Sequence, residues 1–146
     1  MLNPYRDPYG AGWQTIQSIV TLGSGGLTGK GLFKGSQTQL EFLPERSTDF
    51  IFSVIGEELG FLGSSALLLL YFLLLWRILA LIRLSNSSFL IILKIGVFIH
   101  FLTHIVVNIG MIVGLLPTVG LPLPFVSYGG SALITNFVLL SLAAKK

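Results

Sequence analysis

The sequence contains no cysteine, and few of its 146 residues carry a charge. Without cysteine, neither a disulfide nor a thiolate metal site can form. Charged residues make up 10% of the chain, whereas about 25% is usual in soluble domains. The nine basic residues are scattered, so they offer no continuous stripe to a nucleic-acid backbone. Since 53% of the residues are hydrophobic, the composition excludes a disordered tail, a nucleic-acid-binding domain and most soluble enzymes, and it indicates an integral membrane protein.

Three apolar runs predict an all-α integral membrane fold with about three transmembrane helices. Residues 59–76 and 95–116 are uncharged runs of 18 and 22 residues. An 18-residue helix rises about 27 Å, close to the roughly 30 Å of a bilayer's hydrocarbon core. The third run, residues 131–144, has 14 residues and reaches only about 21 Å. Either the loop before it dips into the membrane, or the last helix has been cut.

Basic residues near the ends of these runs predict the orientation. Residues 77–94 carry three basic residues and no acid, and the chain ends in two lysines. The positive-inside rule therefore places this connection and the C-terminus in the cytoplasm, with residues 1–58 and 117–130 outside. Residues 1–12 contain no apolar signal-peptide core, so further spans are expected to precede them. We therefore expect the C-terminal part of a larger polytopic protein.

The outer segment, residues 1–58, contains two local features. A short amphipathic helix is predicted over residues 12–22, lying on the membrane surface. Its apolar stripe consists of Trp13, Ile16 and Val20. A glycine-rich stretch follows over residues 23–35. It is not a P-loop, because Lys30 is followed by glycine, where the phosphate-binding pattern needs serine or threonine.

Residues 43–64 carry the acids that could perform chemistry. Ser47 or Thr48 is expected to cap a helix, with Asp49 in its first turn. A small and acidic stripe recurs at helical spacing, and we expect it to face protein or a wet cavity rather than lipid. The stripe comprises Asp49, Ser53, Gly56, Glu57, Gly60 and Ser64.

Asp49 has two interpretations. An acid near the positive end of a helix dipole stabilises the helix by about 0.3–1 kcal/mol, which requires no further function. Alternatively, Asp49 is a general base at the outer edge of the membrane, since ionisable groups at this depth are costly and indicate function. Arg46, three residues earlier, could pair with Asp49 or hold an anionic headgroup. Glu57 and Glu58 could simply lie at the membrane interface.

The second apolar run carries a polar stripe of its own, formed by His100, His104 and Asn108. Two histidines four residues apart can share a zinc ion, but no carboxylate or thiol completes the set, so hydrogen bonding between helices is favoured. Residues 117–131, which follow, are rich in proline and glycine. Such backbone is tolerated at membrane depth only against protein or a wet cavity. We therefore expect a re-entrant or lid-like loop over the same cavity.

Three long stretches, together with their spacing, are distinctive. They are NPYRDPYGAGWQTIQS (3–18), GSGGLTGKGLFKGSQTQLEFLPERSTDFIFSVIGEELG (23–60) and VNIGMIVGLLPTVGLPLPFVSYGGSALI (107–134). The chain resembles the SEDS family of shape, elongation, division and sporulation proteins, which includes RodA, FtsW and SpoVE. Its segment GSQTQLEFLPER (residues 35–46) is more similar to the RodA branch than to the FtsW branch. The resemblance covers nearly the whole chain and implies the C-terminal part of a many-span SEDS fold.

The resemblance implies a peptidoglycan glycosyltransferase that polymerises lipid II outside the bacterial cytoplasmic membrane, for cell-wall elongation and cell shape. The implied partner is a class B penicillin-binding protein that cross-links the glycan. Asp49, in the family's TDFIF motif, would be the catalytic residue. Arg46 would bind the anionic diphosphate of the substrate, and Ser127 would help to form the substrate cavity. No cofactor is expected, and no metal ligand set is visible, although a divalent ion on the diphosphate is compatible with the sequence.

Two other functions are compatible with these residues. A flippase for a lipid-linked precursor could use the same cavity, and a non-catalytic membrane adaptor could bind a partner helix through His100 and Asn108. The isolated chain is expected to lack polymerase activity, because the family's N-terminal spans and part of the cavity are missing.

Overall fold

The computed structural model describes residues 11–32, 34 and 48–145, which form four α-helices and no strand. The helices are α1 (Ala11–Ser24), α2 (Ile51–Arg83), α3 (Ser88–Ile112) and α4 (Gly130–Ala144). By length and composition, α2 and α3 could each cross a membrane, and α4 is a shorter apolar helix of 15 residues. The predicted all-α fold, with two long apolar helices and a short last one, is confirmed.

The predicted amphipathic helix over residues 12–22 lies within α1. Its buried residues carry hydroxyl groups and are Thr15, Ser18 and Thr21. On the apolar stripe, Trp13 and Val20 are 43% and 48% exposed. Ser18 Oγ donates to Ile112 O at 2.9 Å, which ties α1 to the end of α3. Helix α1 therefore packs through its polar side and leaves apolar residues outward, and its contact with a membrane surface stays a prediction.

The long helices extend beyond the uncharged runs. Helix α2 covers Ile51–Arg83 rather than residues 59–76, and α3 begins at Ser88 rather than at residue 95. The helices are longer than the uncharged runs because each helix continues through charged residues at the ends of its run. Lys94 is 3% exposed, and its Nζ donates to Ser85 Oγ at 2.7 Å and to Leu81 O at 3.3 Å. A buried ammonium that is hydrogen-bonded in this way does not end a helix.

Helix α3 ends at Ile112 rather than at residue 116, because a Schellman motif closes it. Leu115 N donates to Gly110 O at 2.8 Å, and Gly114 N donates to Met111 O at 3.1 Å. Gly114 has a φ of 78°, which is the left-handed conformation that this motif needs. The two bonds satisfy carbonyls of the last helical turn, and the chain leaves the helix axis there.

Helix α2 is broken at Gly60, whose φ of 68° and ψ of −163° are not helical. The break removes two carbonyls and two amides from the helical ladder, and each needs another partner. The partners come from the glycine loop, defined here as residues 25–31. Lys30 N and Gly31 N donate to Glu57 O (2.9 Å) and Glu58 O (3.0 Å), while Phe61 N and Leu62 N donate to Gly26 O (2.9 Å) and Leu27 O (3.2 Å). The backbone of the glycine loop therefore satisfies the carbonyls and amides that the break removes from the helical ladder.

An ion pair between a partly exposed lysine and a buried carboxylate joins the glycine loop to the same part of α2. Glu57 is fully buried, and its Oε1 lies 2.8 Å from Lys30 Nζ and accepts a hydrogen bond from Ser24 Oγ at 3.3 Å. A buried carboxylate requires such partners, because removing an unpaired charge from water is costly. Glu57 therefore stabilises the fold from inside the protein, and its depth relative to a membrane interface stays a prediction.

Gly29→Ala is expected to destabilise the contact between the loop and the helix. Gly29 has a φ of 77°, and a β-carbon there would overlap Glu58 O and stand 2.7 Å from Gly60 N. We expect a loss of about 1–3 kcal/mol, measured as a lower melting temperature of the purified chain in detergent. Gly23→Ala is the matched control, because a β-carbon at Gly23 meets nothing within 4 Å. Equal melting temperatures for the two variants would contradict the close approach.

Lys30→Met should remove the cation that Lys30 provides to the buried carboxylate of Glu57. We expect a loss of roughly 1–3 kcal/mol in the free energy of unfolding, again followed as melting temperature. The loss is moderated because the Lys30 side chain is 31% exposed and Ser24 still donates to the carboxylate. Lys34→Met removes an exposed lysine and should melt close to the parent chain. A similar decrease in both variants would show that the ion pair does not stabilise the fold.

Candidate active site

Asp49 lies in the turn formed by residues 48–50, directly before α2. Because α2 begins at Ile51, the predicted place of Asp49 in the first helical turn is wrong. Phe50 occupies the N-cap position without a side-chain cap, and Ser53 Oγ donates back to Phe50 O at 2.6 Å. Contacts with other elements hold Asp49 instead.

Two distant side chains hold the backbone around Asp49. Ser127 Oγ donates to Thr48 O at 2.6 Å, and Asn108 Nδ2 donates to Asp49 O at 2.9 Å. Ser127 is 7% exposed and Asn108 is fully buried. The segments after and within α3 therefore determine where the turn lies.

The carboxylate of Asp49 borders the proline loop, defined here as residues 117–129. A β-carbon on Gly120 would stand 3.2 Å from Asp49 Oδ2, so the carboxylate lies against the backbone of this loop. Asp49 is half-buried, and Gly120 is exposed. The acid thus lies at an open edge of the structure, where a second molecule can reach it.

Side chains of α2 and α3 anchor the proline loop through its backbone, and a fourth bond closes a turn within it. The bonds are Asn108 Nδ2 to Leu121 O (2.7 Å), His104 Nδ1 to Pro122 O (3.2 Å), Tyr71 OH to Pro124 O (2.7 Å) and Leu123 N to Ser127 Oγ (2.7 Å). A carbonyl oxygen only accepts, so His104 donates through Nδ1. The loop packs against protein, as expected from its composition. Its depth in a membrane stays a prediction.

The polar stripe of α3 bonds to backbone in two of its three positions. The predicted hydrogen bonding between helices is wrong for His104 and Asn108, which bond to the proline loop and to the turn at Asp49. His100 instead packs its ring against that of His104, with the two ring centroids 4.3 Å apart. In the described part of the chain, no three potential metal ligands come together. The two histidines therefore find no third ligand there for zinc.

The stripe predicted on α2 faces protein. Its buried members are Ser53, Gly56, Glu57, Gly60 and Ser64. Asp49 is the member that stays half-buried. Of the three residues predicted for the site, the structure brings Asp49 and Ser127 together, and Arg46 lies outside the described residues.

The sequence reasoning missed two pairings, that of Asn108 with the backbone at Asp49 and that of Lys30 with Glu57. A polar residue within an apolar helix, or a lysine among glycines, signals a buried partner. The partners lie 59 and 27 residues away, however, and helical periodicity relates only residues within a few turns.

Comparison with known proteins gives a consistent picture. A model of the FtsW/RodA/SpoVE family, described as cell cycle protein, matches residues 1–145. Peptidoglycan glycosyltransferase MrdB of Escherichia coli is 53% identical over 134 residues, which cover 92% of this chain and 36% of MrdB. Peptidoglycan glycosyltransferase RodA of Treponema pallidum is 43% identical over 141 residues, which cover 97% of this chain and 33% of RodA.

A solved structure is also similar to this chain. It is described as "Structural coordination of polymerization and crosslinking by a peptidoglycan synthase complex", with a TM-score of 0.72 and 36% sequence identity. The match covers 97% of this chain and 36% of that one. The chain thus spans about a third of the length of the relatives that it matches. Because the family model covers nearly every residue, the chain belongs to the FtsW/RodA/SpoVE family.

Proposed function

We propose that this chain supplies the catalytic carboxylate of a peptidoglycan glycosyltransferase that polymerises lipid II into glycan strands. The observation that carries the proposal is the setting of Asp49. Asp49 is half-buried, its carboxylate lies beside the exposed Gly120, and side chains from elsewhere in the chain hold the backbone on both sides of it. The similar proteins MrdB and RodA are named peptidoglycan glycosyltransferases, which supports the same reaction.

In the proposed reaction, Asp49 acts as a general base. It accepts the proton of an acceptor sugar hydroxyl, whose oxygen forms a bond to the anomeric carbon of the donor. The bond from that carbon to the diphosphate oxygen breaks, and the lipid diphosphate leaves with the electron pair. Arg46, three residues before Asp49 in the sequence, would bind the anionic diphosphate through charge-assisted hydrogen bonds.

The proposed orientation puts Asp49 on the outer side of the bacterial cytoplasmic membrane and the C-terminus in the cytoplasm. Arg77 and Arg83 lie near the end of α2, and Asp49 lies before its start. After the break at Gly60, 23 helical residues remain (83 − 60), which rise about 35 Å and suffice to cross a bilayer. By the positive-inside rule, the basic end is cytoplasmic, so the Asp49 end is outside.

A class B penicillin-binding protein that cross-links the new glycan is the proposed partner. The description of the similar structure names polymerisation and crosslinking in one complex, which supports this pairing. An adaptor function through His100 and Asn108 is not favoured. Asn108 is fully buried, and both hydrogens of its amide are used within the chain. The RodA-like sequence of residues 35–46 supports the proposal of a role in elongation and cell shape.

Asp49→Asn should abolish glycan polymerisation. Because the chain spans about a third of its relatives' length, the test uses a chimera in which residues 1–146 replace the matching segment of Escherichia coli MrdB. Loss of a general base lowers such rates by about 10²–10⁴-fold. The measurement is the rate of strand formation from lipid II by the purified chimera and its penicillin-binding protein.

Glu58→Gln is the matched control, since it makes the same acid-to-amide change at a half-buried position of α2. It should retain most of the polymerisation rate, and both variants should insert into membranes at the parent level. An Asp49→Asn chimera that polymerises within about threefold of the parent would overturn the proposed role. A variant that loses polymerisation but still moves lipid II across vesicles would show that transport is a separate property of the same cavity.

A further inference from the structure

We propose that Asn108 is a positioning residue for Asp49, acting together with Ser127. In this assignment, the Asn108 amide holds the backbone of residue 49 and the proline loop in one arrangement, so that the carboxylate stays aimed at the open edge beside Gly120. The inference rests on the proposed function and adds residues that direct the catalytic group without touching the substrate.

The amide of Asn108 bridges two segments that are far apart in the sequence. Its Nδ2 donates to Asp49 O at 2.9 Å and to Leu121 O at 2.7 Å. A primary amide has two N–H groups, so both are used. The orientation of the amide is determined as well, because the reverse orientation would point Oδ1 at two carbonyl oxygens.

The other half of the same amide is unsatisfied. Asn108 Oδ1 is buried and has no hydrogen-bond partner among the residues that the structure describes. A buried acceptor without a partner lowers the stability of the fold. An apolar residue of similar size would avoid this cost, but it would leave the carbonyls of Asp49 and Leu121 without this donor. What the amide provides, and an apolar side chain cannot, is the pair of donated bonds.

Ser127 holds the peptide group on the other side of residue 49. Its Oγ donates to Thr48 O at 2.6 Å and accepts from Leu123 N at 2.7 Å. The carbonyls of Thr48 and Asp49 belong to the two peptide groups that flank the α-carbon of Asp49. Because a peptide group is planar, holding both groups restricts φ and ψ at residue 49 and hence the direction of its Cα–Cβ bond.

The position of the proline loop depends on the same amide. Leu121, which bonds to Asn108, directly follows Gly120, whose backbone borders Asp49 Oδ2. The carboxylate and the loop beside it are thus both tied to one side chain of α3. Displacing a reacting group by about 1 Å can lower a rate by roughly 100-fold, so this link is expected to affect the rate more than substrate affinity.

Tyr71 offers a matched comparison within the same loop. Its hydroxyl donates to Pro124 O at 2.7 Å, so it also anchors the proline loop, but this bond reaches neither Thr48 nor Asp49. A residue that only supports the loop should behave like Tyr71. A residue that positions Asp49 should affect the chemical step much more for the same loss of stability.

The test compares kcat, KM for lipid II and melting temperature in the MrdB chimera. Asn108→Ala is expected to lower kcat by about 10–100-fold with KM within about threefold of the parent. Tyr71→Phe should lower the melting temperature, with less than about a threefold decrease in kcat. The inference is overturned if the two variants lose kcat in the same proportion to their loss of melting temperature, or if Asn108→Ala mainly raises KM.

Ser127→Ala keeps the inference testable should Asn108→Ala fail to fold, because it removes only the bond to Thr48 and the turn closure at Leu123. It is expected to lower kcat at unchanged KM, whereas a raised KM at unchanged kcat would mean that Ser127 binds substrate and would overturn its positioning role. Asp49→Asn separates the two proposals. Activity in Asp49→Asn would refute the proposed function, whereas an inactive Asp49→Asn beside a fully active Asn108→Ala would refute only the positioning role.

Discussion

Backbone amides and carbonyls that leave a helix within an apolar bundle must find partners in the protein, because lipid supplies none. Much of the described structure follows from this requirement. The break at Gly60 is satisfied by the backbone of the glycine loop, and the proline loop is satisfied by side chains of α2 and α3. Hydrogen bonds consequently tie both irregular segments to the helices. The proline loop in turn borders the turn at Asp49.

The polar residues of the apolar helices acquire a common explanation from this constraint. Tyr71, His104 and Asn108 would each be costly in an apolar helix, yet each donates to a carbonyl of the proline loop. Asn108 differs from the other two because it also reaches the backbone of Asp49. The residues that hold the loop and the residue that aligns the acid therefore lie next to each other on the bundle.

Two acids of the predicted stripe, Glu57 within α2 and Asp49 in the turn before it, have opposite environments. Glu57 is fully buried and bonded to Lys30 and Ser24, which suits a structural role. Asp49 is half-buried against an exposed glycine, which suits a group that must exchange a proton with another molecule. The two acids differ in burial because the glycine loop packs on α2 at Glu57. Asp49 instead lies eight residues earlier, next to the proline loop.

The sequence by itself determined the helical class, the apolar character of α2, α3 and α4, the buried stripe on α2 and the candidate acid Asp49. These properties depend on composition and on spacing within a few turns, which the order of residues records directly. Only the tertiary structure decided where α2 and α3 begin and end and that Lys30 pairs with Glu57. It also decided which residues hydrogen-bond to the backbone groups freed at Gly60. It alone joined Asn108 and Ser127 to the backbone of residues 48 and 49, because such bonds depend on how distant segments pack in three dimensions rather than on any local pattern.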